Sequence, residues 1–125
     1  MRIMREWAPG CHFFGHGSDA DLDELERTIA ADSSTSSGPP IFALFTEFPS
    51  NPLLRCPDLA RLRTLADKYD FLIVIDETIG NFVDVDVLQY ADITATSLSK
   101  SFSGSANVLG GRYVYCIPPQ VLYLA

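Results

Sequence analysis

Five consecutive apolar residues, Phe71–Ile75 (FLIVI), end abruptly on the carboxylate of Asp76. This is the strongest strand in the sequence, and such apolar runs read as buried strands, like the central strands of parallel sheets. The residues before it supply one cover. Asp58–Tyr69 (DLARLRTLADKY) places Leu59, Leu62, Leu65 and Ala66 at helical spacing, giving an amphipathic helix. Two similar units flank this pair. Ser18 or Asp19 can cap a helix through SDADLDELERTIAAD, whose acidic first turn faces the positive end of the dipole and whose Leu22, Leu25 and Ile29 form one stripe. Ile41–Thr46 (IFALFT) reads as a second buried strand and Ala91–Thr96 (ADITAT) as a third, with further strands expected at Cys11–Gly15 and Tyr113–Ile117. Ser33–Pro40 (SSTSSGPP) reads as a connection and Asp84–Leu88 as a solvated acidic turn. The order predicts an open, mostly parallel α/β sheet.

Charge and composition narrow the partners. Nine Lys and Arg against sixteen Asp and Glu give a net charge of −7. Nucleic-acid binding needs a basic stripe, and none is present. The same balance disfavours an anionic membrane surface, and no apolar run approaches bilayer length. At 47% hydrophobic and 20% charged, the 125 residues can bury a core. Cys11, Cys56 and Cys116 form no C-x-x-C pair and read as reduced thiols, consistent with a cytoplasmic protein. MRIMREWAPG has no apolar segment of the secretory kind. His12 and His16 are four apart, but Gly15 and Gly17 break the helix that would join them, so no metal is expected.

Ligands of open α/β sheets sit beyond the carboxyl ends of the strands. Glu47 and Asn51 follow the first central strand, Asp76, Glu77 and Thr78 the second, and Ser97, Ser99 and Lys100 the third. The chain has two lysines, and Lys68 lies on a helix beside Asp67, where a solvated charge is the simple reading. Lys100 sits in a Ser/Gly loop and could hold a phosphate or form a Schiff base; an ordinary exposed lysine is the competing reading. The phosphate-loop, dinucleotide and nucleophile-elbow patterns are absent.

In order, TEFPSNP (Thr46–Pro52), VIDETIG (Val74–Gly80), YADI (Tyr90–Ile93), SLSKSFSG (Ser97–Gly104) and Gly110–Gly111 form a series. The series resembles the Cys/Met-metabolism pyridoxal-phosphate (PLP) enzymes. With CHFFGHG and FPSNPLLR added, the wording is most similar to the fungal-type cystathionine γ-synthases. The resemblance covers about residues 6–111. It implies a partial three-layer αβα arrangement of the aspartate-aminotransferase-like fold. Residues 1–111 would be the central part of the PLP-binding large domain and 112–125 a divergent tail.

The implied activity is replacement of the γ-substituent of an activated homoserine ester by cysteine, a step of methionine biosynthesis. A related cystathionine lyase or homoserine sulfhydrylase is the alternative, and so is a truncated non-catalytic fragment. By matching position, Lys100 would bond covalently to PLP and serve as the catalytic lysine. Asp76 would pair with the pyridine nitrogen, and Ser97 and Ser99 would reach the phosphate. Thr78 would lie against the ring, and Asn51 near the phenolic oxygen or the substrate carboxylate. Glu77 stands where many relatives have Asn, Phe102 where Tyr is usual, and Asn107 where Asp is common. Relatives also carry an upstream phosphate loop with a stacking tyrosine, and a C-terminal domain with a carboxylate-binding arginine; this chain is expected to lack both. Relatives assemble as homo-oligomers.

Overall fold

The apolar run becomes the second strand of a four-stranded sheet in a computed structural model that describes residues 10–34, 41–105 and 107–116. The elements in order are α1 (Asp19–Ser33), β1 (Ala43–Glu47), α2 (Leu59–Tyr69), β2 (Leu72–Asp76), β3 (Ile93–Ser97), a single π-helical turn (Ser99–Ser103) and β4 (Gly111–Tyr115). Spatial order follows chain order. β1 and β2 run parallel, aligning Glu47 with Asp76, and β2 and β3 run parallel, aligning Asp76 with Ala95. β4 returns antiparallel, setting Gly111 opposite Ser97. The carboxyl ends of β1, β2 and β3 therefore lie side by side.

Both helices begin as their sequences require. The Ser18 hydroxyl accepts from the Asp21 amide at the start of α1, and the Asp58 carboxylate accepts from the Arg61 amide at the start of α2. Asp70 ends α2 in the left-handed region, with its amide donating to the Ala66 carbonyl. Leu22, Leu25 and Ile29 of α1 join Leu59, Leu62, Leu65 and Ala66 of α2 in one core with Ile73 and Ile75 of β2. Alternation does the rest: Ile73 and Ile75 face this core, while Leu72 and Asp76 emerge on the opposite, exposed face. Phe45, Tyr113 and Tyr115 are also exposed, and no helix covers that face among the described residues.

Several expectations shift. Cys11–Gly15 is extended loop and pairs with no strand, because β1 has only β2 as a hydrogen-bonded neighbour. β1, β2 and β3 each end one residue later than the apolar runs suggest, so Glu47, Asp76 and Ser97 are the last strand residues. The Ser/Gly loop opens with the π-helical turn, closed by Gly104 at positive φ. The last strand starts at Gly111 instead of Tyr113, since the ladder to β3 extends to Ser97. The segment before Gly10, most of Ser33–Pro40 and the tail from Ile117 lie outside the described residues.

Candidate active site

Asp76 is the hub of the strand ends. Its Oδ1 accepts from the Thr78 amide at 2.9 Å, which fixes the carboxylate as the cap of the following turn. Oδ2 makes no hydrogen bond among the described residues and stays available on the exposed face. A cavity of about 690 Å³ lies over this face. Phe45, Val74, Asp76 and Ala95 form part of its wall, with Asn51, Arg55 and the loop Phe13–Gly17 around them. A second cavity, of about 410 Å³, shares Asp76 and Ala95 and adds Ser97, Gly110 and Gly111.

Asn51 is placed by Glu47. The Asn51 amide donates to Glu47 Oε2 at 2.7 Å, so the loop after β1 folds back over the end of its own strand. Thr78 has a structural duty: its hydroxyl accepts from the Ser97 amide at 2.8 Å, tying the end of β3 to the turn after β2. The Ser97 hydroxyl is free of hydrogen bonds among the described residues. Ser99 is not free. Its hydroxyl accepts from the Gly110 amide at 2.9 Å and its amide donates to the Gly110 carbonyl at 3.2 Å, a two-way clasp. The Ser99 hydroxyl, expected to reach the phosphate, is engaged by the glycine loop in this arrangement.

Lys100 occupies the π-helical turn immediately after this clasp. The side chain is exposed and forms no hydrogen bond or ion pair among the described residues. It lines neither cavity. Asp76, Asn51 and Ser97 are thus brought to connected cavity walls, Thr78 and Ser99 brace them, and Lys100 lies outside both cavities. The donor set still suits PLP: a carboxylate with one oxygen free for a ring nitrogen, an uncommitted primary amine and an open hydroxyl. Among the described residues no three His, Cys, Asp or Glu side chains are grouped to hold a metal ion. No helix there is long and apolar enough to cross a membrane.

The motif reading passes over one pair. Glu77 is buried, with 1% of its surface exposed, and accepts from the Thr96 hydroxyl at 3.0 Å and from Arg112 Nη2 at 3.4 Å. The available signal is positional. A charged residue follows the last strand residue Asp76, and alternation turns it back toward the core side.

Relatives of known identity fit this geometry. The cystathionine γ-synthase-like enzyme iboG1 of Amanita muscaria is 64% identical over 115 residues, which is 91% of this chain and 19% of that protein. The cystathionine γ-synthase of Neurospora crassa is 53% identical over 116 residues, 92% of this chain and 18% of its own length. The chain therefore spans about a fifth of the curated relatives it matches. A putative O-acetylhomoserine (thiol)-lyase from Campylobacter jejuni, solved with a pyridoxyl-lysine phosphate, superposes with a TM-score of 0.65 at 28% identity, over 77% of this chain and 22% of that one. Residues 15–118 match the family profile described as Cys/Met metabolism PLP-dependent enzyme. This chain belongs to that family, and its sheet is part of the PLP-dependent fold.

Proposed function

We propose that this segment carries the aspartate and lysine of the PLP site in a cystathionine γ-synthase-like enzyme, whose reaction exchanges the γ-substituent of an activated homoserine ester for cysteine. The observation that carries the reading is the register of β2 and β3, which sets Asp76 one strand away from the segment leading into Lys100. When bound, PLP supplies the electron sink that stabilises negative charge at the amino-acid Cα.

The protein's part is positional and electrostatic. Asp76 Oδ2 would hold the ring nitrogen in its protonated form, because a nearby carboxylate favours the cation. Thr78 keeps that carboxylate from rotating away by donating its amide to Oδ1. Ser97 offers a hydroxyl to the phosphate, and the Ser99–Gly110 clasp shapes the loop around it. Asn51 approaches from the β1 side, in the first cavity, whose wall also holds Asp76. Lys100 Nζ is the amine that would hold the cofactor, and as a free base it would carry a proton between substrate carbons.

Titration of the chain with PLP, followed by borohydride and peptide mass mapping, tests the assignment. The expected result is a visible band and a fixed adduct on Lys100. Lys100→Ala should abolish the adduct while leaving stability within about 0.5 kcal/mol of the parent, as for an exposed side chain without partners. An adduct on Lys68, or one that survives Lys100→Ala, would sink the assignment. A second reading, a segment that does not act by itself, is favoured by the place of Lys100 outside both cavities. A band without turnover of an activated homoserine is its signature. Elimination or sulfhydrylation in place of γ-replacement is the remaining alternative, and product analysis with cysteine or sulfide separates them.

A further inference from the structure

The Glu77–Arg112 pair belongs to none of the roles above, yet it joins both halves of the proposed site. Glu77 directly follows Asp76, so on a pleated strand end the two carboxylates point to opposite faces. The Glu77 amide donates to the Ala95 carbonyl at 2.9 Å, and its side chain is held by Thr96 of β3 and Arg112 of β4. Arg112 lies opposite Thr96 in the ladder and directly follows Gly110 and Gly111, the residues that clasp Ser99 and pair with Ser97. Its guanidinium also covers the Phe82 ring at 4.4 Å, pinning the turn beyond Thr78. Arg112 Nε is buried without an acceptor, so Nη2 alone makes the link to Glu77.

We propose that Glu77 and Arg112 are positioning residues: their ion pair is a strut across β2, β3 and β4 that sets Asp76 against the Ser99–Gly110 clasp. The functional half of the proposal rests on the reading that these groups share one PLP site. The mechanism is mechanical. With the strut in place, a shift of β4 along β3 moves Glu77 and hence Asp76. Without it, the clasp and the carboxylate are free to drift independently.

Two measurements on the whole chain test this. Amide hydrogen exchange without PLP reads the strut itself. Glu77→Gln should speed exchange of the Ser97 and Gly110 amides, which donate to Thr78 and Ser99, by about tenfold or more, the factor that one charge-assisted hydrogen bond represents. The amides of α1 and α2 should keep their parent rates. Unchanged rates at Ser97 and Gly110, or a uniform acceleration through both helices, overturn the proposal. PLP titration reads the consequence: Glu77→Gln should weaken binding about tenfold, and Arg112→Lys, which keeps the charge, should stay within about threefold of the parent. Parent-like binding by Glu77→Gln also overturns the positioning role. If Glu77→Gln does not fold, Arg112→Gln is used in both measurements with the same criteria. If the parent binds no PLP, the proposed function fails, and the exchange rates alone decide the strut.

Discussion

Removing the Asp92 carboxylate is expected to cost more stability than removing its charge alone. Asp92 precedes β3, and its Oδ2 accepts two hydrogen bonds, from the Ile73 amide at 2.7 Å and from Arg63 Nη1 at 3.0 Å. Its main chain adds two more, its amide donating to Ile73 O and its carbonyl accepting from the Cys116 amide. Asp92 therefore ties α2, β2 and β4 together. Ile73 is fully buried, so an orphaned amide there finds no water. Asp92→Ala leaves that donor unpaired, at about 1–3 kcal/mol. The lost ion pair adds about 0.5–1 kcal/mol, because Arg63 is partly exposed and retains Asp67 at 2.7 Å. The sum is about 1.5–4 kcal/mol. Asp92→Asn keeps an oxygen for Ile73 and loses only the charge, so it should cost about 1 kcal/mol.

Urea unfolding at matched m-values checks both figures. High salt should narrow the gap between parent and Asp92→Asn while leaving the extra cost of Asp92→Ala intact, since screening acts on the charge and not on an unpaired buried amide. A cycle with Arg63→Ala should return a coupling of about 1 kcal/mol. Equal destabilisation by the two Asp92 variants would place the weight on the ion pair. Asp92→Ala within about 0.5 kcal/mol of the parent would refute the accounting altogether.

Other sites give sharper single outcomes. Gly80→Ala should destabilise by about 1–3 kcal/mol in the same assay, because a Cβ there meets the Phe48 carbonyl at 3.0 Å and Val85 at 3.2 Å. Partial burial disfavours the Asp21 carboxylate, but amides of His16, Ser18 and Gly17 outweigh it and hold its pKa below the ordinary 3.8. A depressed carboxylate stabilises the fold above its unfolded pKa and loses that contribution as pH falls through the folded value; acid titration should show this loss below about pH 4, and Asp21→Asn should remove it. Burial, then the charges of Asp92 and Glu77, push the Cys116 thiol upward. In a short iodoacetamide pulse at pH 8, exposed Cys56 should label before Cys116, and the reverse order in the mass map would contradict the packing of Cys116 against the core.

The helices and the three parallel strands were legible because each advertises itself locally. Apolar residues at helical spacing behind a capping Ser18 or Asp58 leave little choice of face, and an unbroken FLIVI leaves little choice of sheet type. Cys11–Gly15 has the composition of a strand but no edge to pair with, and pairing is a tertiary fact that composition does not carry. The site divides in the same way. Asp76 and Lys100 follow strands and stand out by chemistry. The commitment of the Ser99 hydroxyl to Gly110, eleven residues away, depends on where β4 returns, and nothing within SLSKSFSG specifies that return.

The antiparallel β4 is what joins three strand ends into one candidate site. A parallel sheet alone would bring Glu47, Asp76 and the end of β3 to one edge but leave the Lys100 turn attached at one end only. By running back along β3, β4 brings Gly110, just before it, to Ser99 and its own Arg112 to Glu77. The first contact closes the loop that holds Lys100, and the second sits directly behind Asp76. A slip of β4 by one residue would exchange the faces of Arg112 and Gly111, breaking the ion pair and the clasp together. The register of β4 is therefore expected to be tightly held, even though no side chain of β4 is among the proposed cofactor contacts.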